Sequence, residues 1–267
     1  MIQLSSCIEM MFREFPFEQR FAEAKKLGFS GVEFWGWEGK DLPAVAAAAC
    51  EADITVTDCC VGTRDAARSA QYARGAMLVK VNAPLYAEMV EETIEAVKPA
   101  GIRTLIATTG QALPGVDRQT QQEAVAACLK AAAPVLEKAG VTIVLEPLNV
   151  LVNHKGYYLD KSAQAFEILR TVGSPNVKLL YDVYHQQITE GNLIQTIIDN
   201  IGLIGHFHIA DVPGRHEPGT GEINYANVLA AIDAAGYAGY VGCEYEPSAG
   251  KTTAESAQGL LAMAGNK

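Results

Sequence analysis

Residues 141–147 read VTIVLEP, a short apolar run that ends in a carboxylate, Glu146. The pattern returns in 177-VKLLYDVYH-185, 203-LIGHFHIAD-211 and 240-YVGCEYEP-247, where Asp182, His208 and Glu244 take the corresponding place. Runs of this length and composition fit buried strands. A charge at the end of such a run is costly to bury without a partner or a cation. Three carboxylates and one imidazole form a hard, oxygen-rich donor set, suited to Mn²⁺, Mg²⁺ or Co²⁺ rather than to a thiolate-based structural zinc site. The competing account is that arginines or backbone donors satisfy some of these groups.

Outward from these runs the same alternation fills the chain. Eight strand-like runs are expected, at Ile2–Cys7, Gly31–Trp35, Ile54–Thr57, Thr104–Ala107, Val141–Glu146, Val177–Asp182, Leu203–His208 and Tyr240–Glu244. Segments of helical period separate them, at Phe17–Leu27, Leu42–Glu51, Thr120–Ala139, Ser162–Val172, Asn192–Asn200 and Tyr225–Ala235. Gly28, Gly101, Gly140, Gly173 and Gly236 each follow a helical pattern, the usual place for a left-handed C′ residue. Eight strand–helix repeats in 267 residues predict an α/β fold, a single (β/α)₈ TIM barrel over residues 1–267. A doubly wound sheet also alternates, but no G-x-G-x-x-G follows the first run. The long segment Val61–Ile102 is expected to add helical structure over the barrel mouth, and the irregular loop His206–Asn224 to help build the site.

Composition narrows the function. The formal charge is −10 and no Lys/Arg-rich block stands against it, so nucleic acid and anionic membranes are poor partners. The six cysteines form no C-x₂-C pair and read as reduced, mostly buried thiols of a cytoplasmic protein. Glu9, Arg13 and Glu14 interrupt the N-terminal apolar stretch, so neither a signal peptide nor a membrane span is expected.

In a barrel the strand C-termini open into one mouth, where Glu146, Asp182, His208 and Glu244 would converge on one ion. Glu146 and Glu244 should flank it from roughly opposite sides. One can then remove a carbon-bound proton next to a carbonyl while the other returns it elsewhere, through an enediolate. His185, three residues past Asp182, is placed in a loop as a substrate donor, with an ordinary loop histidine as the alternative. Arg215 offers a planar fork for a carboxylate or vicinal hydroxyls, or else pairs with Asp211 or Glu217. Trp35 and Trp37 are placed at the mouth as an apolar wall, with core packing as the competing account. His206 shares the inward parity of His208 and reads as packed behind the site, His216 as exposed, and Glu33 as an inward polar support.

At LEPLN (145–149), YDVYH (181–185), HFHIADVPGRHEPGTGEINY (206–225) and CEYEP (243–247) the chain resembles the xylose isomerase-like barrel superfamily. Within it the resemblance is to the hydroxypyruvate isomerase and ketose 3-epimerase branch, and it covers essentially the whole chain. It implies a divalent-metal site at Glu146, Asp182, His208 and Glu244, an acid/base pair Glu146 and Glu244, and substrate contacts from His185 and Arg215. It also implies a homo-oligomer, a dimer or tetramer, acting on a small carbohydrate or hydroxy acid. Two departures bear on the reaction. Many hydroxypyruvate isomerases have glutamine where His208 stands, which leans towards the epimerases; the epimerases have a substrate-binding glutamate where Val152 stands, which leans away from them. The leading expectation is an aldehyde–ketone isomerase of the hydroxypyruvate type, and the alternative a ketose 3-epimerase. A lyase dehydrating an inosose and a non-catalytic sugar-binding barrel are further options. The abasic-site endonucleases of the superfamily need a basic surface and more histidines than the five here.

Overall fold

The structure, a computed structural model, describes residues 2–265; Met1, Asn266 and Lys267, the outermost positions of the expected 1–267 unit, lie outside the described residues. Among the described residues nine strands form one sheet: β1 Gln3–Cys7, β2 Gly31–Glu33, β3 Thr55–Val56, β4 Asp58–Cys60, β5 Thr104–Ala107, β6 Thr142–Leu145, β7 Val177–Asp182, β8 Ile204–Ile209 and β9 Tyr240–Cys243. Every pairing is parallel, and β1 pairs with β9, which brings the sheet round into a nearly closed TIM barrel. The expected third strand, Ile54–Thr57, differs from what is found. It runs on to Cys60 and breaks at Thr57, because β3 pairs back to β2 whereas β4 pairs forward to β5. Nine strands thus replace the expected eight through one divided strand.

Ten α-helices surround the sheet among the described residues: α1 Gln19–Leu27, α2 Leu42–Glu51, α3 Ala66–Tyr72, α4 Ala83–Val97, α5 Arg118–Ala139, α6 Ser162–Val172, α7 Val183–Thr189, α8 Leu193–Asn200, α9 Tyr225–Ala234 and α10 Thr253–Met263. Helix α6 shows why the periodicity was legible. Its buried residues Ala165, Phe166, Ile168 and Leu169 make one apolar stripe, and Gly173 ends it at φ 75°. In the long segment after β4, α4 is the helix of that strand–helix repeat, packed on α5, and α3 is the additional one. Helix α7 departs from the expected loop: Asp182, the last residue of β7, accepts the His185 backbone N–H and caps a helix directly. None of the helices among the described residues is long and apolar enough to cross a membrane.

Alternation along the strands does the positioning. Val32, Leu105, Ile143, Phe207 and Val241 point outward into the large apolar core beneath the helices. Their neighbours point into the barrel, where Ile106, Val144 and Leu180 make a small apolar plug. The next inward positions on those strands are the polar ones: Glu146 follows Val144 by two residues, Asp182 follows Leu180, and His208 follows His206.

The loop after β8 is built around a buried carboxylate. Asp211 accepts the backbone N–H of Val212, Gly219 and Ile223 at 2.9, 2.8 and 3.1 Å. Gly221 is required there, since a Cβ would stand 2.0 Å from the Val212 carbonyl oxygen and 2.6 Å from Asp211. Glu217 ties the loop to the last helix region through Ser248 and Lys251. Arg215 is thereby carried at φ 57°, a conformation that a non-glycine residue adopts only when its surroundings impose it. Replacing Asp211 by Ala removes the acceptor of three backbone donors, of which the Ile223 N–H is buried. We expect a loss of about 3 kcal/mol in unfolding free energy, read by urea denaturation; a change below about 0.5 kcal/mol would show that this carboxylate does not anchor the loop.

Candidate active site

The barrel brings the four strand-end residues together. One ligand-type atom each from Glu146, Asp182, His208 and Glu244 lies within 4.8 Å of all the others, and all four residues are buried. Glu146 and Glu244 stand one residue past β6 and β9, but their backbone N–H groups continue the ladder to Ala107 and Ile209. The pleat therefore still points them inward. His208 Nδ1 is 3.2 Å from Glu244 Oε2 and 3.6 Å from Glu146 Oε1. Burial works against charge on His208, yet Glu33 and Glu244 outweigh it and hold its proton well above the usual histidine range. Burial likewise pushes the Asp182 carboxyl up, with Arg215 opposing.

Glu244 is the most heavily engaged of the four. Its Oε1 accepts the Trp35 indole N–H at 2.8 Å, and its Oε2 accepts from Arg215. Despite burial, Arg215 and His208 hold its carboxyl far below the ordinary range. The Arg215 guanidinium also lies 3.9 Å from Asp182 and over the Tyr184 ring at 5.4 Å. It thus pairs into the site, and not with Asp211 or Glu217, which hold the loop.

His185 lies in the first turn of α7, fully buried, rather than in the expected loop. The Asn149 backbone N–H donates to its Nδ1 at 3.2 Å, so the ring proton of the neutral imidazole resides on Nε2. That Nε2 is 3.6 Å from Asp182 and has no hydrogen-bond partner among the described residues. Burial pushes the ring's pKa down to about 3, so His185 is a neutral donor aimed at the site.

Two other placements change. Trp35 is 43% exposed at the mouth as expected, but Trp37 is 1% exposed and belongs to the core, with Arg64 over its ring. The short strand β2 ends at Glu33, and the chain turns before Trp37 can face the mouth. His216 is half-buried rather than exposed, because its Nδ1 bonds the Glu246 carbonyl. Sequence reading also missed Asn149, which orients His185, and His154, whose ring meets His185 edge-on at 5.2 Å. His154 lies between the Val141–Glu146 run and the Ser162–Val172 segment, a stretch to which no element was assigned. Behind the site, His206 pairs with Glu33 and Asp58 at 3.4 and 3.3 Å. Asp58 gave no sequence signal, since its strand was expected to end at Thr57.

The donor set and its enclosure fit a divalent cation: four ligating groups converge, and His208 Nδ1 lacks a hydrogen-bond partner among the described residues.

Comparison with known proteins bears on the family and the fold. The chain is 32% identical to the hydroxypyruvate isomerase of Escherichia coli K12, over 96% of each chain. It is 31% identical to the 2-oxo-tetronate isomerase of Pectobacterium atrosepticum, over 94% of each. Among solved structures, a family 2 AP endonuclease from Brucella melitensis superposes with a TM-score of 0.88 at 31% identity, over 98% of each chain. A family model described as xylose isomerase-like TIM barrel matches residues 21–263, and the chain belongs to that family.

Proposed function

We propose that this protein is a divalent-cation-dependent isomerase that interconverts the aldehyde and ketone forms of a short hydroxy acid, of the hydroxypyruvate and tartronate semialdehyde type. The observation that carries the reading is the convergence of two carboxylates, Glu146 and Glu244, on one imidazole beside a cationic arm and a neutral imidazole donor. A cation bound among Glu146, Asp182, His208 and Glu244 supplies electrophilic polarisation of the substrate carbonyl. The chain's own residues do the rest. One of Glu146 and Glu244 takes the proton from the hydroxymethyl carbon, and the other gives a proton to the former carbonyl carbon. The hydroxyl proton moves to the former carbonyl oxygen, with the His185 Nε2–H donating to the oxygens as charge shifts between them. Arg215 meets the substrate carboxylate, and Trp35 limits water at the mouth while it orients Glu244.

Short oxo acids are favoured over ketohexoses by two observations. The two relatives above are named for hydroxypyruvate and 2-oxo-tetronate, and Val152 is 67% exposed and brings no carboxylate to a longer sugar. Nuclease activity is disfavoured by the net charge of −10, whatever the Brucella protein acts on. Hard oxygen donors support Mn²⁺ or Mg²⁺, and six free cysteines support a reducing cytoplasm. We extend the reading to one barrel domain that works as a homo-oligomer, on the strength of the family resemblance.

Stripping divalent ions with a chelator is expected to abolish turnover, and Mn²⁺ or Mg²⁺ to restore it; full activity in rigorously metal-free protein would contradict the proposal. Glu146→Gln and Glu244→Gln are each expected to lower kcat about 10³-fold with an intact circular dichroism spectrum, and a loss under tenfold would remove that residue from the acid/base pair. In D₂O, NMR of the hydroxypyruvate reaction should show deuterium on C2 of the semialdehyde. Turnover only of ketoses, with deuterium at C3 and an epimeric product, would establish the epimerase instead. Val152→Glu should shift preference towards longer ketoses, and an unchanged substrate profile would show that position 152 does not discriminate.

A further inference from the structure

A second group of titratable side chains lies one layer deeper in the barrel and takes no part in the reaction above. Glu33 ends β2, Asp58 begins β4 and His206 precedes His208 by two residues on β8; they are 2%, 0% and 2% exposed. Their ligand-type atoms, together with one nitrogen of His208, lie within 4.8 Å of one another.

His208 joins the two layers through opposite edges of its ring. Its Nδ1 faces Glu244 and Glu146, and its Nε2 is 3.2 Å from Glu33 Oε1. A neutral imidazole that offers the Nδ1 lone pair to a cation has its proton on Nε2, and an acceptor there sets both tautomer and ring angle. Glu33 is itself supported: its Oε2 is 3.4 Å from His206 Nε2, which is 3.3 Å from Asp58 Oδ2. Thr57 donates to that same Asp58 oxygen at 2.8 Å. Both Glu33 oxygens therefore have an imidazole nitrogen within 3.4 Å, close enough to pair although the angles fall short of formed hydrogen bonds.

The backbone carries an independent mark of the same contact. Gly242 lies opposite His208 in the register of β8 and β9. A Cβ there would stand 2.5 and 2.6 Å from the two Glu33 oxygens and 2.7 Å from His208 Cδ2. The glycine leaves the strand bare where the carboxylate reaches the ring.

We propose that Glu33 is a positioning residue for His208: its carboxylate accepts the Nε2–H and turns Nδ1 towards Glu146, Asp182 and Glu244, while His206 and Asp58 fix Glu33. The inference rests on the reading of those four residues as a metal site. Removing the acceptor frees the ring to rotate and to exchange tautomers, and the cost falls on cation affinity before it falls on the fold.

The test is calorimetric titration of Mn²⁺ into chelator-stripped wild type, Glu33→Gln and Gly242→Ala. We expect one equivalent in each, with affinity lowered about 10- to 100-fold in both variants. Gly242→Ala alters no polar group but crowds both Glu33 and the His208 ring, so Glu33→Gln carries the decision. Affinity in Glu33→Gln within twofold of a wild type that binds normally would overturn the inference alone. Two equivalents in wild type falling to one in Glu33→Gln would overturn it in favour of a second cation among Glu33, Asp58 and His206. No Mn²⁺ uptake by wild type would overturn the metal-site reading and the inference with it. Should neither variant fold, the long-range ¹H–¹⁵N spectrum of Zn²⁺-loaded wild type decides: an Nε2–H tautomer for His208 supports the inference, and an Nδ1–H tautomer overturns it.

Discussion

Burying three carboxylates around one imidazole, with ligand-type atoms within 4.8 Å, is the constraint on which the rest of this structure depends. Removing even one ion from water carries a penalty of several kcal/mol, and like charges this close add repulsion. Without a cation the compensation must come from Arg215, drawn between Glu244 and Asp182, and from a proton retained on His208. Both are replaceable. On the proposed reading a divalent ion would supply more charge at the same place, take the position of the Nδ1 proton, and leave Arg215 free for a substrate carboxylate. The loop that presents Arg215 is accordingly fixed at its base by Asp211 and Glu217, whose contacts do not depend on what occupies the site.

The polar layers of the barrel follow from one rule of strand geometry. Alternation sends Phe207 and Val241 to the helices and His206, His208 and Gly242 to the interior. Two polar layers then stack inside the barrel, the lower one beside the apolar plug, where His206 pairs with Leu180. On the proposed reading the upper one would hold a cation and substrate, and the lower one would orient the ligand that links them. A single glycine, Gly242, allows both layers to meet at His208.

Much of this was readable from the chain because the signals were local. Strands end where apolar runs meet Glu146, Asp182, His208 and Glu244, and helices such as α6 end where periodicity meets glycine. What escaped depends on partners distant in sequence. The third strand runs on past Thr57 because β5 pairs with its second half, so Asp58 went unseen. His185 looked like a loop residue because the Asp182 that ends a strand also caps a helix. Trp37 and Trp35, two residues apart, look equivalent in sequence, but only Trp35 reaches Glu244.

The most direct test of the central claim is an anomalous difference map from crystals of the Mn²⁺-loaded protein. The account predicts one peak coordinated at about 2.1 Å by carboxylate oxygens of Glu146, Asp182 and Glu244 and by Nδ1 of His208, with Arg215 withdrawn from Glu244. An empty site at full Mn²⁺ loading, or a peak whose ligands leave out His208 and either glutamate, would contradict it.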